Sequence, residues 1–422
     1  MRLISTQGRG AKQTAILLAQ LERRGSTSFD FVQPTVEKIL LDIRKQGDKA
    51  LLRYARRFDN LAKTAPIQVT QEETEAAWQQ LDPTLQKALE TAAKNIRAFA
   101  QRQLPKSWQS TPLKGLVTGQ LVRPIESAGC YVPGGRHPLP STMLMTVIPA
   151  QAAGVPRIAV TSPNPAPETL ATAHLLGIRE LYRIGGAHAI AALAYGTDSI
   201  SRVTKIVGPG NLYVTAAKRA VAFDCAIDML AGPTEIVITS DLGNPANIAS
   251  DLIAQAEHDP EALAIFITTN ASLARTVISE ARQRARHNPV AKEALKCNGY
   301  AILASSKEEA CAITNRLAPE HLTVDTENDL RWVQNAGSVF IGPHSPQPMG
   351  DYISGPNHTL PTGGMARVRG GLSVNDFLKL ITVQQYSAQG LSKLGPQAIR
   401  LAQAEGLSGH AEAIQTRLAS PE

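Results

Sequence analysis

The sequence is poor in cysteine and aromatic residues, and it has no long apolar run. Aromatic residues make up 5% of the 422 residues, and the four cysteines show no C-x-x-C spacing. Neither a disulfide framework nor a thiolate zinc site is therefore expected, and the reducing cytoplasm is the expected compartment. The longest apolar-rich stretch, residues 143–155, contains Pro149 and Gln151 and is too short to cross a bilayer. The opening residues, MRLISTQGRGAKQ, lack the apolar segment of a secretory leader, so none is expected.

Charge of one sign is not concentrated in any segment. Lys and Arg number 43 against 36 Asp and Glu, which gives a net charge of +7. Because there is no run of five basic residues and no interleaving of basic and aromatic residues, we expect no nucleic-acid surface. A mildly basic chain suits an anionic cofactor instead. The chain also lacks G-x-G-x-x-G and G-x-x-x-x-G-K-[ST] motifs, and the second absence excludes ATP hydrolysis at a Walker-type loop.

The first hundred residues are predicted to be largely helical. Over residues 35–58, apolar residues recur at helical spacing and leave one polar face. Thr70 and Glu73 form a capping-box pattern before a further helix. Asp82 and Pro83 then predict an N-cap and a first-turn proline, which restart the helix.

From about residue 120, short apolar runs alternate with helical stretches. The predicted strands are 157–162, 180–184, 203–207, 235–239, 263–269, 300–304 and 338–341. The predicted helices are 141–153, 167–177, 188–195, 211–221, 245–257, 271–286 and 306–316. This alternation is typical of βαβ units, in which helices cover the faces of a parallel sheet. The alternating region, which begins near residue 120, is too long for one open sheet, so we expect two α/β domains. Beyond about residue 373 we expect helices and loops.

Three glycine-containing loops are predicted at the ends of strands. The segment GPGN at 208–211 follows a strand and precedes a helix, where backbone N–H groups can bind phosphate. The loops at 132–135 and 184–186 occupy similar positions. Because open α/β sheets bind ligands at the carboxyl ends of their strands, the three loops indicate a ligand at one sheet edge. Tight turns without a ligand explain them equally well.

Two pairs of polar residues are candidate site residues. Gln255 and His258 are three residues apart and share one face at the end of a predicted helix. A glutamine amide is a poor metal ligand, so composition alone does not nominate Gln255. His258 is either a metal ligand or a histidine that the helix dipole satisfies. Glu320 and His321 are adjacent beside a predicted strand, where they would point to opposite faces. They fit either two separate proton-transfer roles or no role at all.

Polar residues also gather in two later segments. The segment GDYISGPNHTLPT at 350–362 carries Asp351 and His358 in a long loop stiffened by glycine and proline, which is typical of a functional loop. Glu405 and His410 lie in AEGLSGHAE, which on composition alone is a surface helix–turn–helix.

Taken together, these segments resemble the histidinol dehydrogenase family. The resemblance is carried in order by GCYVPGGRHPLPSTMLMTVIPAQAAGV, YRIGGAHAIAALAYGT, KIVGPGNLYV, AIDMLAGPTEIVI, DLIAQAEHDP, APEHL, AGSVFIG, GDYISGPNHTLPTGG, LSVNDF and LSGHAEA. It is close over residues 120–415 and looser in the helical N-terminus. It implies the four-electron oxidation of L-histidinol through L-histidinal to L-histidine, the last step of histidine biosynthesis, with two NAD⁺ reduced in turn.

The resemblance also implies roles for individual residues. The family's ligands for one Zn²⁺ per subunit fall on Gln255, His258, Asp351 and His410. The catalytic pair falls on Glu320 and His321. His321 would take the proton of the substrate hydroxyl as hydride leaves, and Glu320 would activate the water that hydrates the aldehyde. Thr234 and Glu405 would contact the substrate, together with His321 and the four zinc ligands.

The family's NAD⁺ contacts fall on Tyr131, His188 and Asn211. The chain departs from the family pattern at His188, where Gln is common, and at Thr234, where Ser is common. An imidazole can still form a hydrogen bond with the cofactor. A threonine keeps the hydroxyl but leaves less room. The stretch RVRGG at 367–371 also differs from the small hydroxyl residues that are more usual there.

The implied fold is α/β, with two incomplete Rossmann-like domains that each contain a parallel sheet. The expected division gives 28–130 and 240–372 to the first domain, and 1–27 and 131–239 to the second, NAD-binding domain. Residues 373–422 are expected to form a helical C-terminal tail. The family is a homodimer in which this tail crosses to the partner, so Glu405 and His410 would serve the other subunit's site.

Other interpretations stay open on the sequence alone. A family paralogue would oxidise another amino alcohol or a diol with NAD⁺, and the departures at His188 and Thr234 leave room for it. A cysteine-dependent aldehyde dehydrogenase would use Cys130, which is otherwise a small buried residue at a strand end. A nucleic-acid binder would rest on the net charge alone.

Overall fold

The structure of the chain, a computed structural model, describes residues 1–24, 29–134 and 138–420. The chain divides into a larger unit, Met1–Gln103 with Glu126–Phe377, and a smaller unit, Leu104–Ile125 with Leu378–Glu422. Gly135 of the predicted loop 132–135 lies outside the described residues. Over the described ranges, no helix combines the length and the apolar character needed to cross a membrane. The cytoplasmic location stays a prediction.

Strands and helices alternate over most of the described chain. The strands are β1 (Arg2–Ser5), β2 (Trp108–Leu113), β3 (Leu116–Pro124), β4 (Ser127–Tyr131), β5 (Arg157–Thr161), β6 (Glu180–Tyr182), β7 (Lys205–Val207), β8 (Ala226–Ile227), β9 (Glu235–Thr239), β10 (Leu263–Thr268), β11 (Gly299–Leu303), β12 (His321–Val324), β13 (Ser338–Ile341) and β14 (Leu378–Tyr386). The α-helices are α1 (Ala11–Glu22), α2 (Gln33–Gln46), α3 (Asp48–Phe58), α4 (Gln71–Gln80), α5 (Pro83–Arg102), α6 (Pro140–Ala152), α7 (Pro167–Leu175), α8 (Gly186–Tyr195), α9 (Leu212–Val221), α10 (Pro245–Ala256), α11 (Ala271–Arg284), α12 (Pro289–Asn298), α13 (Lys307–Leu317), α14 (Pro348–Tyr352), α15 (Ala388–Ala404) and α16 (Ser408–Ala419).

The first parallel sheet of the larger unit has six strands in the order β1-β11-β10-β9-β12-β13. The chain runs from β9 through β10 to β11 on one side and then returns to place β12 and β13 on the other. Because successive side chains of a strand point to opposite faces, both faces of β9 are buried. Ile236 and Ile238 join the core beneath α10, α11 and α12, and Val237 joins the core beneath α1 and α13.

The second parallel sheet of the larger unit has five strands in the order β6-β5-β4-β7-β8. Helices α8 and α9 cover one of its faces and share a core with α2 and α3. Val36, Ile43 and Leu51 from the N-terminal helices lie in this core with Ile190 and Val214. The apolar stripe predicted over residues 35–58 is therefore the face by which α2 and α3 pack on the five-stranded half.

The predicted helix starts in the N-terminal region are confirmed. Thr70 and Glu73 form a reciprocal capping box at the start of α4. The Asp82 carboxylate accepts hydrogen bonds from the backbone N–H groups of Thr84 and Leu85 at the start of α5, with Pro83 in the first turn. These contacts satisfy N–H groups that have no partner within the helix.

The α/β alternation and the two parallel sheets confirm the predicted fold class, but the division of the chain differs from the expected one. Strand β1 was expected with residues 131–239 and instead extends the six-stranded sheet, where Arg2 pairs with Tyr300. The helices between 33 and 58 were expected with residues 240–372 and instead pack on the five-stranded half. Both differences arise from contacts between segments far apart in sequence, which local periodicity does not reveal.

The smaller unit corrects the expectation that strands end near residue 373. Strand β14 pairs antiparallel with β3 over its whole length, and β2 completes a three-stranded sheet in the order β14-β3-β2. Helices α15 and α16 follow, so the helical part of the predicted tail begins at Ala388. Most residues of β14 are exposed. Its first six residues, LKLITV, are rich in apolar and β-branched residues, so a strand signal was present in the sequence and was missed.

Candidate active site

Glu320 and His321 lie at the amino end of β12, beside the amino end of β9. One carboxylate oxygen of Glu320, Oε2, accepts hydrogen bonds from the Thr234 hydroxyl at 2.6 Å and from the Glu235 backbone N–H at 2.8 Å. His321 Nδ1 is 3.1 Å from the Glu235 carbonyl oxygen, so Nδ1 carries a proton and donates it. The backbone of Glu235 therefore holds both members of the predicted catalytic pair.

The expected separation of Glu320 and His321 onto opposite faces is wrong. Glu320 Oε2 lies 3.6 Å from His321 Nδ1. Strand β12 begins at His321, so Glu320 precedes the regular strand and does not follow its alternation. Both side chains are buried, so an imidazole and a carboxylate lie side by side at one place.

Two carboxylates determine the charge of His321. Its Nε2 lies 3.6 Å from Asp351 Oδ1, and its ring stacks on Phe340 with the centroids 6.0 Å apart. Burial lowers the pKa of His321, but the charges of Glu320 and Asp351 outweigh this effect and raise the pKa to about 10. For Asp351, burial raises the pKa, but the attraction of His321 is stronger and leaves that pKa below its ordinary value. The carboxylates of Glu320 and Asp351 therefore stabilise a positive charge on the His321 imidazole.

Gln255 contributes an unpartnered oxygen to the same place. Its side chain is almost fully buried at the end of α10, and Nε2 donates to the Thr234 hydroxyl and lies 3.4 Å from His321 Nδ1. Its Oε1 is buried without a hydrogen-bond partner among the described residues. A buried carbonyl oxygen without a partner is energetically costly unless a ligand or cation satisfies it.

His258 and Asp351 offer further donor atoms. His258 follows the end of α10, where Nδ1 contacts the Ala254 carbonyl at 2.9 Å and leaves Nε2 available. Asp351 Oδ2 accepts from Gln347 Nε2 at 2.7 Å. A cavity of about 350 Å³ opens beside Asp351 and His321 and is also lined by Phe340. Within the described part of the chain, no three His, Cys, Asp or Glu side chains converge to hold a metal ion.

The predicted cofactor residues lie at the carboxyl edge of the five-stranded sheet. Tyr131 ends β4, and its hydroxyl accepts a hydrogen bond from the Gly186 N–H at the start of α8. His188, in the first turn of α8, is 1% exposed, and its Nε2 lies 2.6 Å from Asp59 Oδ2. The same Asp59 oxygen accepts from the Gly185 N–H at 3.0 Å. Tyr131 and His188 are thus brought together around the loop that begins α8.

The neighbouring loop at 208–211 has the geometry predicted for it. Asn211 caps α9, because its side-chain oxygen accepts from the N–H groups of Tyr213 and Val214. Gly208 has a φ of +115°, and a Cβ there would lie 2.2 Å from the Tyr131 carbonyl oxygen. Two helix N-termini, those of α8 and α9, therefore meet one sheet edge beside a backbone that only glycine permits.

A short connection links this edge to the catalytic pair. Strand β8 ends at the carboxyl edge of the five-stranded sheet, and β9 begins at the amino edge of the six-stranded sheet. Residues 228–234 join the two and span at most about 25 Å. The loop that carries Thr234 thus runs from the predicted cofactor edge to Glu320 and His321.

Comparison with known proteins decides the family. The family profile described as histidinol dehydrogenase matches residues 22–418. Histidinol dehydrogenase of Syntrophotalea carbinolica is 44% identical over 413 residues, covering 95% of this chain and 96% of that protein. That of Geobacter sulfurreducens is 42% identical over 413 residues, covering 95% and 96%. The crystal structure of histidinol dehydrogenase from Elizabethkingia anophelis has a TM-score of 0.93 at 36% identity and covers 99% of this chain and 98% of that chain.

The chain belongs to the histidinol dehydrogenase family.

Membership in the histidinol dehydrogenase family makes the chain an NAD-dependent oxidoreductase, as the resemblance implied. The geometry gives no support to the cysteine-dependent alternative. Cys130 is fully buried, and burial raises the pKa of its thiol to about 12, so no thiolate forms near neutral pH.

The predicted site residues of this histidinol dehydrogenase family member form separate groups. Thr234, Gln255, Glu320, His321 and Asp351 meet at the amino edge of the six-stranded sheet. Tyr131, His188 and Asn211 lie at the carboxyl edge of the other sheet. Glu405 and His410 lie in the smaller unit, where both are exposed.

Sequence reasoning missed residues that hold these groups in place. Asp59 lies in no recognisable motif, and its role depends on contact with His188, which is 129 residues away in the sequence. Glu235 lies in the predicted strand 235–239 as an acidic residue at the start of an otherwise apolar run. That contrast is the one sequence signal that could have drawn attention to it.

Proposed function

We propose that the chain oxidises L-histidinol through L-histidinal to L-histidine and transfers two hydrides in turn to two NAD⁺. The observation that carries this proposal is the shared attachment of Glu320 and His321 to the Glu235 backbone, next to the unpartnered Gln255 oxygen. This arrangement holds one acid–base pair beside a donor atom that is available to a ligand. The names of the relatives supply the substrate.

His321 would act as the base in the alcohol step in its neutral form. The pKa of about 10 makes this the minor form near neutral pH, so the alcohol step should become faster as the pH rises toward that pKa. His321 Nδ1 is engaged by the Glu235 carbonyl, which leaves Nε2 to take the hydroxyl proton as the carbinol hydride passes to NAD⁺. The carboxylates of Glu320 and Asp351 stabilise the imidazolium that results. The two electrons and one hydrogen leave with NADH, and the carbinol becomes the aldehyde.

Glu320 would act in the aldehyde step. Its Oε2 is occupied by Thr234 and Glu235, whereas Oε1 has no hydrogen bond from the described residues and can accept a proton from water. The activated water adds to the aldehyde, and the proton that Glu320 took returns to the former carbonyl oxygen to give a gem-diol. One hydroxyl of the gem-diol then gives its proton to His321, which has released its first proton to solvent, as the second hydride passes to a second NAD⁺. The acid that forms loses its remaining proton to water. The product is the carboxylate of L-histidine.

The donor atoms fit a Zn²⁺ ion that the family implies. Gln255 Oε1, His258 Nε2 and an oxygen of Asp351 would hold it, and His410 of a second copy would complete the set. The buried Oε1 of Gln255 supports this assignment, because it has no hydrogen-bond partner among the described residues and a bound cation would provide one interaction. When bound, Zn²⁺ supplies an anchor that orients the substrate's amine and imidazole. Nitrogen and oxygen donors are suitable ligands for such an open site.

The cofactor and the assembly are proposed in the same way. NAD⁺ would bind at the carboxyl edge of the five-stranded sheet, where Tyr131, His188 and Asn211 surround two helix N-termini. The chain would form a homodimer in which Glu405 and His410 serve the site of the other copy. Their exposure in the smaller unit is consistent with such a role.

The test is the stoichiometry of NADH formation. Purified protein with Zn²⁺, excess NAD⁺ and limiting L-histidinol should yield two NADH per histidinol, followed by absorbance to completion. Chelation should remove the activity, and added Zn²⁺ should restore it. One NADH per histidinol would contradict the four-electron reaction. Folded, zinc-loaded protein that forms no NADH would instead favour a paralogue acting on another amino alcohol or a diol.

A further inference from the structure

We propose that Arg24 is a positioning residue for the Glu320–His321 pair. Arg24 follows the end of α1, and the sequence gives no signal that it belongs to the site. The inference rests on the proposed catalytic roles of Glu320 and His321. It adds a residue that acts on both of them from outside the reacting centre.

The Arg24 guanidinium joins three segments of the chain. It forms a bidentate ion pair with the Glu235 carboxylate, with Nε–Oε1 and Nη2–Oε2 distances of 2.6 Å each. It also donates to the carbonyl oxygens of Leu21 at 2.6 Å and Leu317 at 2.7 Å. The Arg24 side chain is 13% exposed and that of Glu235 is 4% exposed, so water screens this contact little.

Glu235 is the residue to which the catalytic pair is attached. Its N–H binds Glu320 and its carbonyl binds His321, so a displacement of Glu235 displaces both. Its side chain has two anchors, Arg24 and the Gly363 N–H, which donates to Oε1 at 2.8 Å. Without Arg24, the stronger of these anchors is lost.

Leu317 gives Arg24 a second route to the same pair. It is the last residue of α13, and three residues later the chain reaches Glu320. Between them Ala318 has a φ of +46°, a left-handed conformation that is strained for alanine. Arg24 therefore fixes two things. One is Glu235 at the start of β9, whose backbone bonds to Glu320 and His321, and the other is the turn between α13 and Glu320.

The charge of Arg24 is as important as its hydrogen bonds. Burial raises the pKa of Glu235, and the ion pair with Arg24 opposes that effect. Without the guanidinium, a buried carboxylate would remain unpaired behind Glu320, and it would have to take up a proton or shift. A lysine restores the charge but cannot reproduce the planar fork.

The experiment compares Arg24→Met and Arg24→Lys with Arg316→Met as a matched control. Arg316 also joins α1 to α13, through Glu22 at 2.6 Å, but its side chain is 53% exposed and has no contact with Glu235. The measurements are kcat and KM for L-histidinol, L-histidinal and NAD⁺, with the thermal midpoint of each variant. The unsubstituted enzyme is assayed first.

We expect Arg24→Met to lower kcat for both substrates on the order of 100-fold, because misplacement of reacting groups by about 1 Å has this effect. KM for NAD⁺ should stay within about twofold, since the cofactor edge is held by other residues. Arg24→Lys should recover part of kcat, and Arg316→Met should match the unsubstituted enzyme. A purely structural role would lower the midpoint without this separation of kcat from KM.

Two results would overturn the inference. In the first, Arg24→Met, corrected for its folded fraction, has the kcat of Arg316→Met. In the second, where Arg24→Met does not fold, Arg24→Lys folds with full kcat. If the unsubstituted enzyme forms no NADH from L-histidinol, the proposed function fails and the inference fails with it. An active enzyme with unaffected Arg24 variants refutes the positioning role alone.

Discussion

At Glu320, both hydrogen bonds donated by described residues go to one carboxylate oxygen. Thr234 and Glu235 occupy Oε2, which leaves Oε1 as the atom that can meet a water molecule. An adjacent imidazole completes the site without sharing that atom. The two side chains can therefore act in different half-reactions while they share one scaffold.

Replacement of Glu320 by Gln should separate the two half-reactions. The amide is nearly the same shape and can still accept from Thr234 and Glu235, but it cannot take a proton from water. We expect oxidation of L-histidinal to fall by about 10²–10⁴-fold, the usual contribution of a general base. Oxidation of L-histidinol should fall much less. Single-turnover assays from each substrate measure the difference, and an equal loss in both would contradict the water-activating role.

The adjacent Glu320 and His321 could be recognised from the sequence, but their joint attachment could not. Adjacent residues in a strand point apart, and only the fact that β12 starts at His321 brings the two side chains within 3.6 Å. Glu235 holds both side chains through its backbone N–H and carbonyl groups. Almost every residue type has these groups, so the residue type at 235 could not reveal this role. Arg24 and Asp59 act through partners more than a hundred residues away.

At the scale of elements, the N-terminus of α8 is held by a buried carboxylate. Asp59 comes directly after α3 and reaches Gly185 and His188, while Tyr54 and Phe58 of α3 pack against the His188 ring. The position of α8 thus depends on α3. Any cofactor phosphate bound at this helix start would depend on the same contact.

Replacement of Asp59 by Asn should weaken NAD⁺ binding more than catalysis. The amide keeps the shape but loses the charge that pairs with His188, and hydrogen bonds to a charged group contribute about 1.5–3 kcal/mol. We expect KM for NAD⁺ to rise on the order of tenfold, with kcat changed by less than about threefold. Steady-state kinetics with varied NAD⁺ provide the measurement.

Asp48→Asn is the matched control for this prediction. Asp48 begins α3, at the opposite end of the helix from Asp59, and accepts a hydrogen bond from the Ser199 hydroxyl at 2.6 Å. The Asp48→Asn variant should have an unchanged KM for NAD⁺. Equal KM values for the two variants, with equal thermal midpoints, would contradict a role of Asp59 at the cofactor edge.

Buried elements were predicted well from the sequence, and exposed ones were not. The buried strands β5, β9 and β10 appear where their apolar runs predicted them. Strands β2 and β14, which pair with β3, are largely exposed and were not predicted. Strand β2 has little apolar pattern, whereas the apolar and β-branched residues of β14 face solvent rather than a core. For such strands, the cross-strand partner determines the structure rather than burial.

At the scale of the whole molecule, the predicted ligand set is divided between two units of the chain. Gln255, His258 and Asp351 lie in the larger unit, and His410 lies in the smaller one. In a symmetric dimer, a residue supplied by the partner makes each site depend on both copies. The division can therefore be tested by complementation.

Mixing His321→Asn with His410→Ala chains should restore activity if His410 acts in the other copy's site. Each variant alone should be nearly inactive. Random pairing makes half of the dimers mixed, and each mixed dimer has one intact site, so about one quarter of the sites should be active. Coexpression followed by assay of the purified mixture measures this fraction. His321→Asn chains paired only with themselves are the control, and a mixture that stays inactive would argue for a site completed within one chain.

The position of β1 has a consequence for how the protein is made. Arg2 meets Tyr300 across a separation of 298 residues, and Arg24 reaches Glu235 and Leu317 across 211 and 293. At about 5–20 residues per second, a ribosome needs roughly 10–60 s to deliver these partners after residues 2–24 have been made. Residues 2–24 can therefore take up all of their native contacts only after residues about 300 positions later have been made. Until then, β1 has no sheet to extend, and Arg24 does not have its full set of partners.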